Sequence, residues 1–309
     1  MTFTDVLLQQ IINGLSLGAM YALLALGFTM VYGIIELINF AHFNVFMVGS
    51  FVAMFVLQWV GLSGQSRVLT GVPLIDALGF AFAATMLFCG LLGVAIERMA
   101  LRPMRHVRGT AAMITTIGVS YILYNVVLLT AGAASLNYPD PMPPVSWHIG
   151  GAVLRLREVL LWTVSLVLMA ALHIFVRRTK LGKAMRATAQ DQEAARMMGV
   201  EVDHVVMLTF FIGSALAGAA GLIFGLYYDF TNFVIGYTAG LRAFTAAVLG
   251  GIGNIPGAMI GGLAIGLIES LGGQLLAVRW TDVIIFSILI IVLVLRPSGL
   301  LGLSSPQKS

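Results

Sequence analysis

Few side chains in this sequence could do chemistry, and their spacing suits passing a solute along rather than breaking a bond. Asn39, His42 and Asn44 stand in the run NFAHFN between two long apolar stretches, and Thr115, Thr116 and Thr245 lie inside others. Amide, imidazole and hydroxyl groups there could line a path for a polar solute, because polar groups among apolar spans are costly and point to function. The plainer alternatives are a packed histidine bonded to a carbonyl and threonines bonded to their own helix. Two carboxylates, Glu97 and Glu269, fall at or within apolar runs. Both read as interfacial, with Glu269 reaching for the outer surface. The sequence holds no H-E-x-x-H, no G-x-S-x-G and no G-x-x-x-x-G-K-[ST]; its only Gly-Lys pair, Gly182-Lys183, follows RRTKL and precedes Ala. Metalloprotease, hydrolase and self-contained ATPase chemistry are therefore not expected. No catalytic residue, metal site or cofactor is expected. The lone cysteine, Cys89, reads as helix packing, and GGIGNIPG (Gly250–Gly257) reads as a tight turn.

A second group of polar residues is concentrated in one place. Arg177 to Asp203 holds ten of the chain's thirty charged side chains. Within it, QDQEAARMMGV (Gln190–Val200) spells a short helix. Asp191 suits the N-cap, Gln192 to Met198 contains good helix formers, and Gly199 suits the position after the helix where φ turns positive. Ala194 and Ala195 would let another protein approach the backbone closely, and Met197 and Met198 offer adaptable apolar contact. The alternative is a solvated loop that enforces topology.

The elements that must position these groups are apolar. The chain is 59% hydrophobic and 10% charged over 309 residues, against about 25% charged in a soluble domain. Lipid must be its main solvent. Eight runs approach the ~20 residues a helix needs to cross a bilayer core: Ile11–Ile35, Asn44–Val60, Ala77–Ile96, Ala111–Ala131, Val159–Val176, Val205–Tyr228, Ile255–Leu271 and Val283–Leu295. The last stops at Arg296-Pro297. A ninth, Thr238–Gly251, is short and carries Arg242. The first ten residues lack Lys and Arg, so the first span is expected to be retained rather than cleaved. Arg98, Arg102, Arg105 and Arg108 follow the third span, and Arg177, Arg178, Lys180, Lys183, Arg186 and Arg196 follow the fifth. Basic loops of this kind stay in the cytoplasm, which puts the N-terminus in the periplasm and the loop Gly132–Glu158 outside as an irregular cap. The same placement explains the net charge of +4 without nucleic acid.

The sequence also echoes itself. GLLGVAIE (Gly90–Glu97) recurs as GLAIGLIE (Gly262–Glu269), and NGLSLGA (Asn13–Ala19) as GSALAGA (Gly213–Ala219). The expected architecture is an all-α polytopic membrane protein with eight full transmembrane helices plus one short or half helix. It forms a single permease domain, 1–309, with a first repeat at about 11–131, a linking span and charged loop at 159–203, and a second repeat at 205–296. Five crossings separate the copies, so the halves are inverted, the ninth segment crosses and the C-terminus lies in the cytoplasm. Inverted repeats of this kind are characteristic of alternating-access transporters.

EAARMMG (Glu193–Gly199) resembles the EAA-x-x-x-G coupling loop of ABC importer permeases, which docks into a cleft on a cytoplasmic ATPase. Gln9–His42 and Gly240–Leu271 are similar to the branched-chain amino acid permease family, LivH type, and the resemblance extends over nearly the whole chain. It implies a half-transporter in a bacterial inner membrane. The partners it implies are a related LivM-type permease subunit, two cytoplasmic ABC ATPase subunits and a periplasmic substrate-binding protein, all assembled in the lipid bilayer. It also implies that Arg186, Asp191, Glu193, Ala194, Ala195, Met198 and Gly199 serve the ATPase contact. The family usually has Ala-His-Gly followed by an acidic residue, whereas this chain has Phe43 and Asn44 after His42, which puts its solute preference in question. Two further readings stand beside an importer of branched-chain or related small amino acids. One is a gradient-driven secondary transporter of small zwitterionic or amide solutes, whose signature would be intramembrane carboxylates or a basic counter-ion. The other is a passive pore.

Overall fold

The computed structural model describes residues 2–62, 68–104, 110–296 and 298–302; Arg105, Arg108 and Pro297 lie outside them. The order is α1 (Phe3–Ile35), α2 (Ala41–Leu57), α3 (Val72–Ile96), α4 (Ala111–Ala131), β1 (Leu136–Asn137), β2 (Ser146–Ile149), β3 (Ala152–Arg155), α5 (Leu156–Arg178), α6 (Lys180–Gln190), α7 (Gln192–Met197), α8 (Val202–Tyr228), β4 (Phe230–Thr231), α9 (Ile235–Gly250), α10 (Ile255–Leu276) and α11 (Thr281–Leu295). Among the described residues, eight helices are long and apolar enough to cross a membrane. The protein is a mostly helical, multi-pass membrane chain.

Two helices form the centre. α1 is buried on every side from Ser16 to Val31, and α8 from Gly213 to Leu226. A helix that is apolar and buried all round belongs in the core of a bundle. Small residues set the spacing: a Cβ added at Gly266 of α10 would strike the backbone of Gly18 in α1. Close backbone approach is how membrane helices gain packing energy without a hydrophobic driving force. α3, α4, α5 and α11 surround this centre and turn apolar side chains such as Phe88, Ile122, Leu166 and Ile290 outward.

Several boundaries depart from the expectation, each for a local reason. α1 starts at Phe3 rather than Ile11, because Thr2 and Asp5 form a reciprocal capping box that lets a polar first turn stay helical. The loop Gly132–Glu158, expected to be an irregular cap, is not irregular throughout. β2 and β3 form a hairpin, and β1 pairs with β4. The hairpin binds the start of α1, with Gly151 N donating to Asp5 (3.1 Å) and Val153 N to Gln9 (2.7 Å). The charged stretch holds two helices, α6 and α7, not one.

The two ends of the bundle are distinct. One gathers the start of α1, the hairpin, the β1–β4 pair and the Arg157–Asp229 ion pair. The other gathers the end of α1, the α6–α7 segment and the turn before α10, where Gly33 abuts Gly253. Residues 298–302 join that second end, with Leu300 N donating to Leu249 O (2.8 Å) and Leu301 N to Gly250 O (3.1 Å).

Candidate functional site

The charged segment is clamped to the bundle at several points. Thr179 caps α6 by accepting from Gly182 N (2.9 Å) and donates to Phe175 O (2.7 Å). Gly182 sits against the last carbonyls of α5, where a Cβ would collide with Val176 O. The Arg186 guanidinium donates to that same carbonyl and so helps hold α6 on α5, while the residue as a whole stays exposed. Asp191 then ends α6 and starts α7, its Oδ1 accepting from Glu193 N (2.9 Å) and Ala194 N (3.0 Å). Gly199 has φ of 84° and closes α7 with a left-handed turn. The side-chain amide of Gln192 donates to Ile34 O at the end of α1 (3.1 Å).

What remains on the surface of α7 is a small mixed patch. Glu193, Ala194 and Arg196 are exposed, and Met197 and Met198 are each 84% exposed. Ala195 is buried against the chain itself, so of the two alanines only Ala194 is open to another protein. Beside the patch lies a cleft of about 820 Å³ lined by Arg98, Arg102, Arg196, Glu201, Asp203 and His204. An Arg102–Asp203 pair at 2.6 Å spans it, and Glu97, expected at an interface, is buried beside it.

Most of the proposed path residues are sealed in the core. Asn39 Oδ1 accepts from Ala41 N (3.1 Å). His42 Nε2 lies 3.3 Å from Leu24 O, which makes that nitrogen the donor. Asn44 Nδ2 donates to the carbonyl and hydroxyl of Ser120, both at 2.7 Å. Thr115 and Thr245 donate to the carbonyls four residues back, Ala111 and Leu241. Thr116 donates to Met113 O and accepts from Phe40 N. The structure brings Asn39, His42, Asn44 and Thr116 together around the start of α2 and leaves Thr245 apart on α9.

The largest polar feature inside the spans was not anticipated as a unit. Arg242 of α9 is bonded to Glu269 of α10, to Asp282 of α11 (2.8 Å) and to the Tyr21 hydroxyl of α1 (3.2 Å). Glu269 therefore faces inward to a guanidinium rather than reaching for the surface.

Comparison with known proteins decides the family. The family described as branched-chain amino acid transport system / permease component matches residues 10–293. The chain belongs to that family. It is 42% identical over 306 residues to the high-affinity branched-chain amino acid transport system permease protein LivH of Escherichia coli K12, covering 97% of each chain. It is 40% identical to the corresponding protein BraD of Pseudomonas aeruginosa, again over 97% of each. A probable branched-chain amino acid transport permease protein LivH of Methanocaldococcus jannaschii is 28% identical over 91% of this chain and 88% of its own. No solved structure matches.

In this permease, one signal in the sequence points to a further site pair. Glu36-x-x-Asn39-Phe40 recurs as Asp229-x-x-Asn232-Phe233. Glu36 (φ 53°) and Asp229 (φ 61°) end α1 and α8 in the same left-handed conformation. Asn39 and Asn232 both turn the chain into the next helix by accepting from an amide two residues on. The motif lies 193 residues apart and was hidden because only five positions carry it.

Proposed function

We propose that this chain is the membrane-spanning subunit of an ATP-driven importer for branched-chain or related small amino acids in a bacterial inner membrane. It works with a LivM-type permease subunit, two cytoplasmic ABC ATPase subunits and a periplasmic binding protein. The observation that carries the reading is the mounting of α7. It is capped by Asp191, fixed through α6 to α5 and through Gln192 to α1, and it offers an exposed Glu–Ala–Arg–Met–Met face. A force applied there would reach the central helix directly. No side chain in the segment is arranged for chemistry, which is the division of labour a lever requires.

The inverted repeat is part of the same reading. Its support is that packing repeats on exchanging α1 to α4 with α8 to α11. α1 packs on α10 as α8 packs on α3, α2 on α8 as α9 on α1, α2 on α3 as α9 on α10, and α2 on α4 as α9 on α11. The shared Glu/Asp-x-x-Asn-Phe turn adds to it. On this reading α9 is the ninth crossing, the N-terminus is periplasmic and the C-terminus shares the cytoplasmic end with α7.

The Arg242, Glu269 and Asp282 charges are the one feature that favours a gradient-driven transporter. Vesicles carrying the complete assembly separate the two. Leucine uptake that needs internal ATP and survives collapse of the ion gradients supports the importer; uptake that follows the gradient and ignores ATP overturns it.

A further inference from the structure

We infer that the face of α9 carrying Thr238, Leu241 and Arg242 lines the solute passage, and that Arg242, Glu269 and Asp282 form its binding station for an α-amino acid zwitterion. This rests on the amino acid import reading above and deepens it.

The argument begins with cost. Arg242 lies midway along α9, seven residues past its start, on the helix read above as the ninth crossing. Its side chain is 20% exposed, that of Glu269 11% and that of Asp282 61%. Charged groups at membrane depth do not face hydrocarbon; they face protein or a water-filled cavity. Glu269 and Arg242 neutralise each other within the protein. Asp282 has most of its surface open, and the α9 residues on the same side, Tyr237 and Thr238, are open as well. Asp282 and Thr238 lie in the first turns of α11 and α9, so this open polar face begins at one end of the bundle, where a passage would have its mouth.

The station also has the right valences. Two carboxylates share one guanidinium, which leaves one negative charge in excess. Glu269 Oε2 is buried and has no hydrogen-bond partner among the described residues. An unpaired buried acceptor of that kind is costly unless something fills it. A primary ammonium donates three N–H bonds and is drawn by the excess negative charge, so it matches the spare acceptor; the neutral zwitterion leaves the net charge of the station unchanged. The carboxylate of the same solute would take the Nε and Nη2 edge of Arg242, whose fork suits a carboxylate, by displacing Asp282 from it. Oε2 is closed off in this conformation, so the ammonium reaches it when α9 and α10 part. Asp282, already open, is the first contact.

The alternative location is weak. Asn39, His42, Asn44, Thr116 and Thr245 are all buried and each is tied by one atom to backbone or a neighbour. His42 Nδ1 and Asn44 Oδ1 lack partners among the described residues, but the group holds no carboxylate or guanidinium to match the two charges of a zwitterion. They hold α2 and α9 in place and offer a solute no open face.

The test uses the complete importer (this chain, the second permease subunit, the ATPases and the binding protein) in proteoliposomes with L-leucine as solute. Thr238→Cys and Leu166→Cys are each made in a Cys89→Ala background and treated with a membrane-impermeant cationic thiosulfonate. Thr238→Cys is expected to react about 100-fold faster than the outward-facing Leu166→Cys, the ratio that excluding a cation from hydrocarbon implies. Equal rates would overturn the passage. Glu269→Gln is expected to cut leucine uptake about 10-fold or more while ATP hydrolysis stimulated by the binding protein continues. Wild-type uptake in Glu269→Gln would overturn the station and leave the importer reading standing. A wild-type assembly that captures no ATPase would instead remove the importer reading itself.

Discussion

The side-chain amide of Gln192 donates to the carbonyl oxygen of Ile34 across 3.1 Å. That contact joins the helix proposed to meet the ATPase to the end of the most buried helix in the bundle. A single hydrogen bond contributes about 1 kcal/mol to stability, so its loss should spare the fold and disturb the transmission. Gln192→Leu is expected to insert normally and to hold the ATPase, while fewer leucine molecules enter per ATP hydrolysed. The ratio of uptake to hydrolysis reads this directly, and an unchanged ratio would remove Gln192 from the coupling.

Asp191 supports α7 in a different way, by capping it. The carboxylate accepts from two backbone amides, and removal of such a cap costs about 1 kcal/mol. In a helix of six residues, that is enough to fray the docking face. Asp191→Ala should weaken capture of the ATPase in detergent, and Asp191→Asn, which keeps the acceptor oxygen, should restore it. Failure of Asn to restore capture would show that the charge, not the cap, is what matters.

The exposed face makes its own prediction. Glu193 is solvent-facing and lies at the start of α7, where a negative charge favours the helix dipole. Glu193→Lys reverses the charge offered to the ATPase without touching the core. Membrane insertion should be unchanged and leucine uptake abolished. Uptake at the normal rate would reduce the segment to a spacer.

Much of this was legible from residue order because it depends on neighbours in sequence. The Asp191 cap, the positive φ at Gly199 and the long apolar runs all follow from local chemistry or from length. The bond made by Arg186 was not legible, for the opposite reason. Its target, Val176 O, becomes available only when α6 folds back on α5. The Arg242–Glu269 pair was missed likewise, since 27 residues and a full turn of the chain separate the partners. Glu269 viewed alone in an apolar run looks as if it must escape to a surface; with a guanidinium opposite, it need not. The β2–β3 hairpin escaped notice because its anchors, Asp5 and Gln9, belong to α1.

Small residues between α1 and α10 set a limit on stability. Gly266 packs on the backbone of Gly14 and Gly18, so a larger side chain has no free volume to enter. Overpacking a tight contact costs about 1–3 kcal/mol. Gly266→Leu should lower the thermal midpoint of the purified assembly by several degrees, whereas Leu166→Ala, at an outward position on α5, should not. Equal midpoints for Gly266→Leu and the unmodified chain would mean that the two helices do not meet as described.

The paired left-handed turns allow a prediction in the opposite direction. Glu36 and Asp229 hold φ of 53° and 61° at the ends of the two central helices, a conformation that costs an L-residue about 1–2 kcal/mol and glycine almost nothing. Glu36→Gly should therefore raise the thermal midpoint, because the strain is relieved and, among the described residues, the Glu36 side chain makes no hydrogen bond or ion pair that would be lost. Asp229→Gly should gain less. Its carboxylate bonds Arg157 at 2.8 and 3.0 Å, although with half of the Asp229 side chain exposed that pair contributes only up to about 1 kcal/mol. The expected order of midpoints is Glu36→Gly above Asp229→Gly, with Glu36→Val below both, because a β-branched residue fits the left-handed region worst. Thermal unfolding of the three variants checks it, and a Glu36→Val midpoint equal to that of Glu36→Gly would show that the turn after α1 is not held at positive φ.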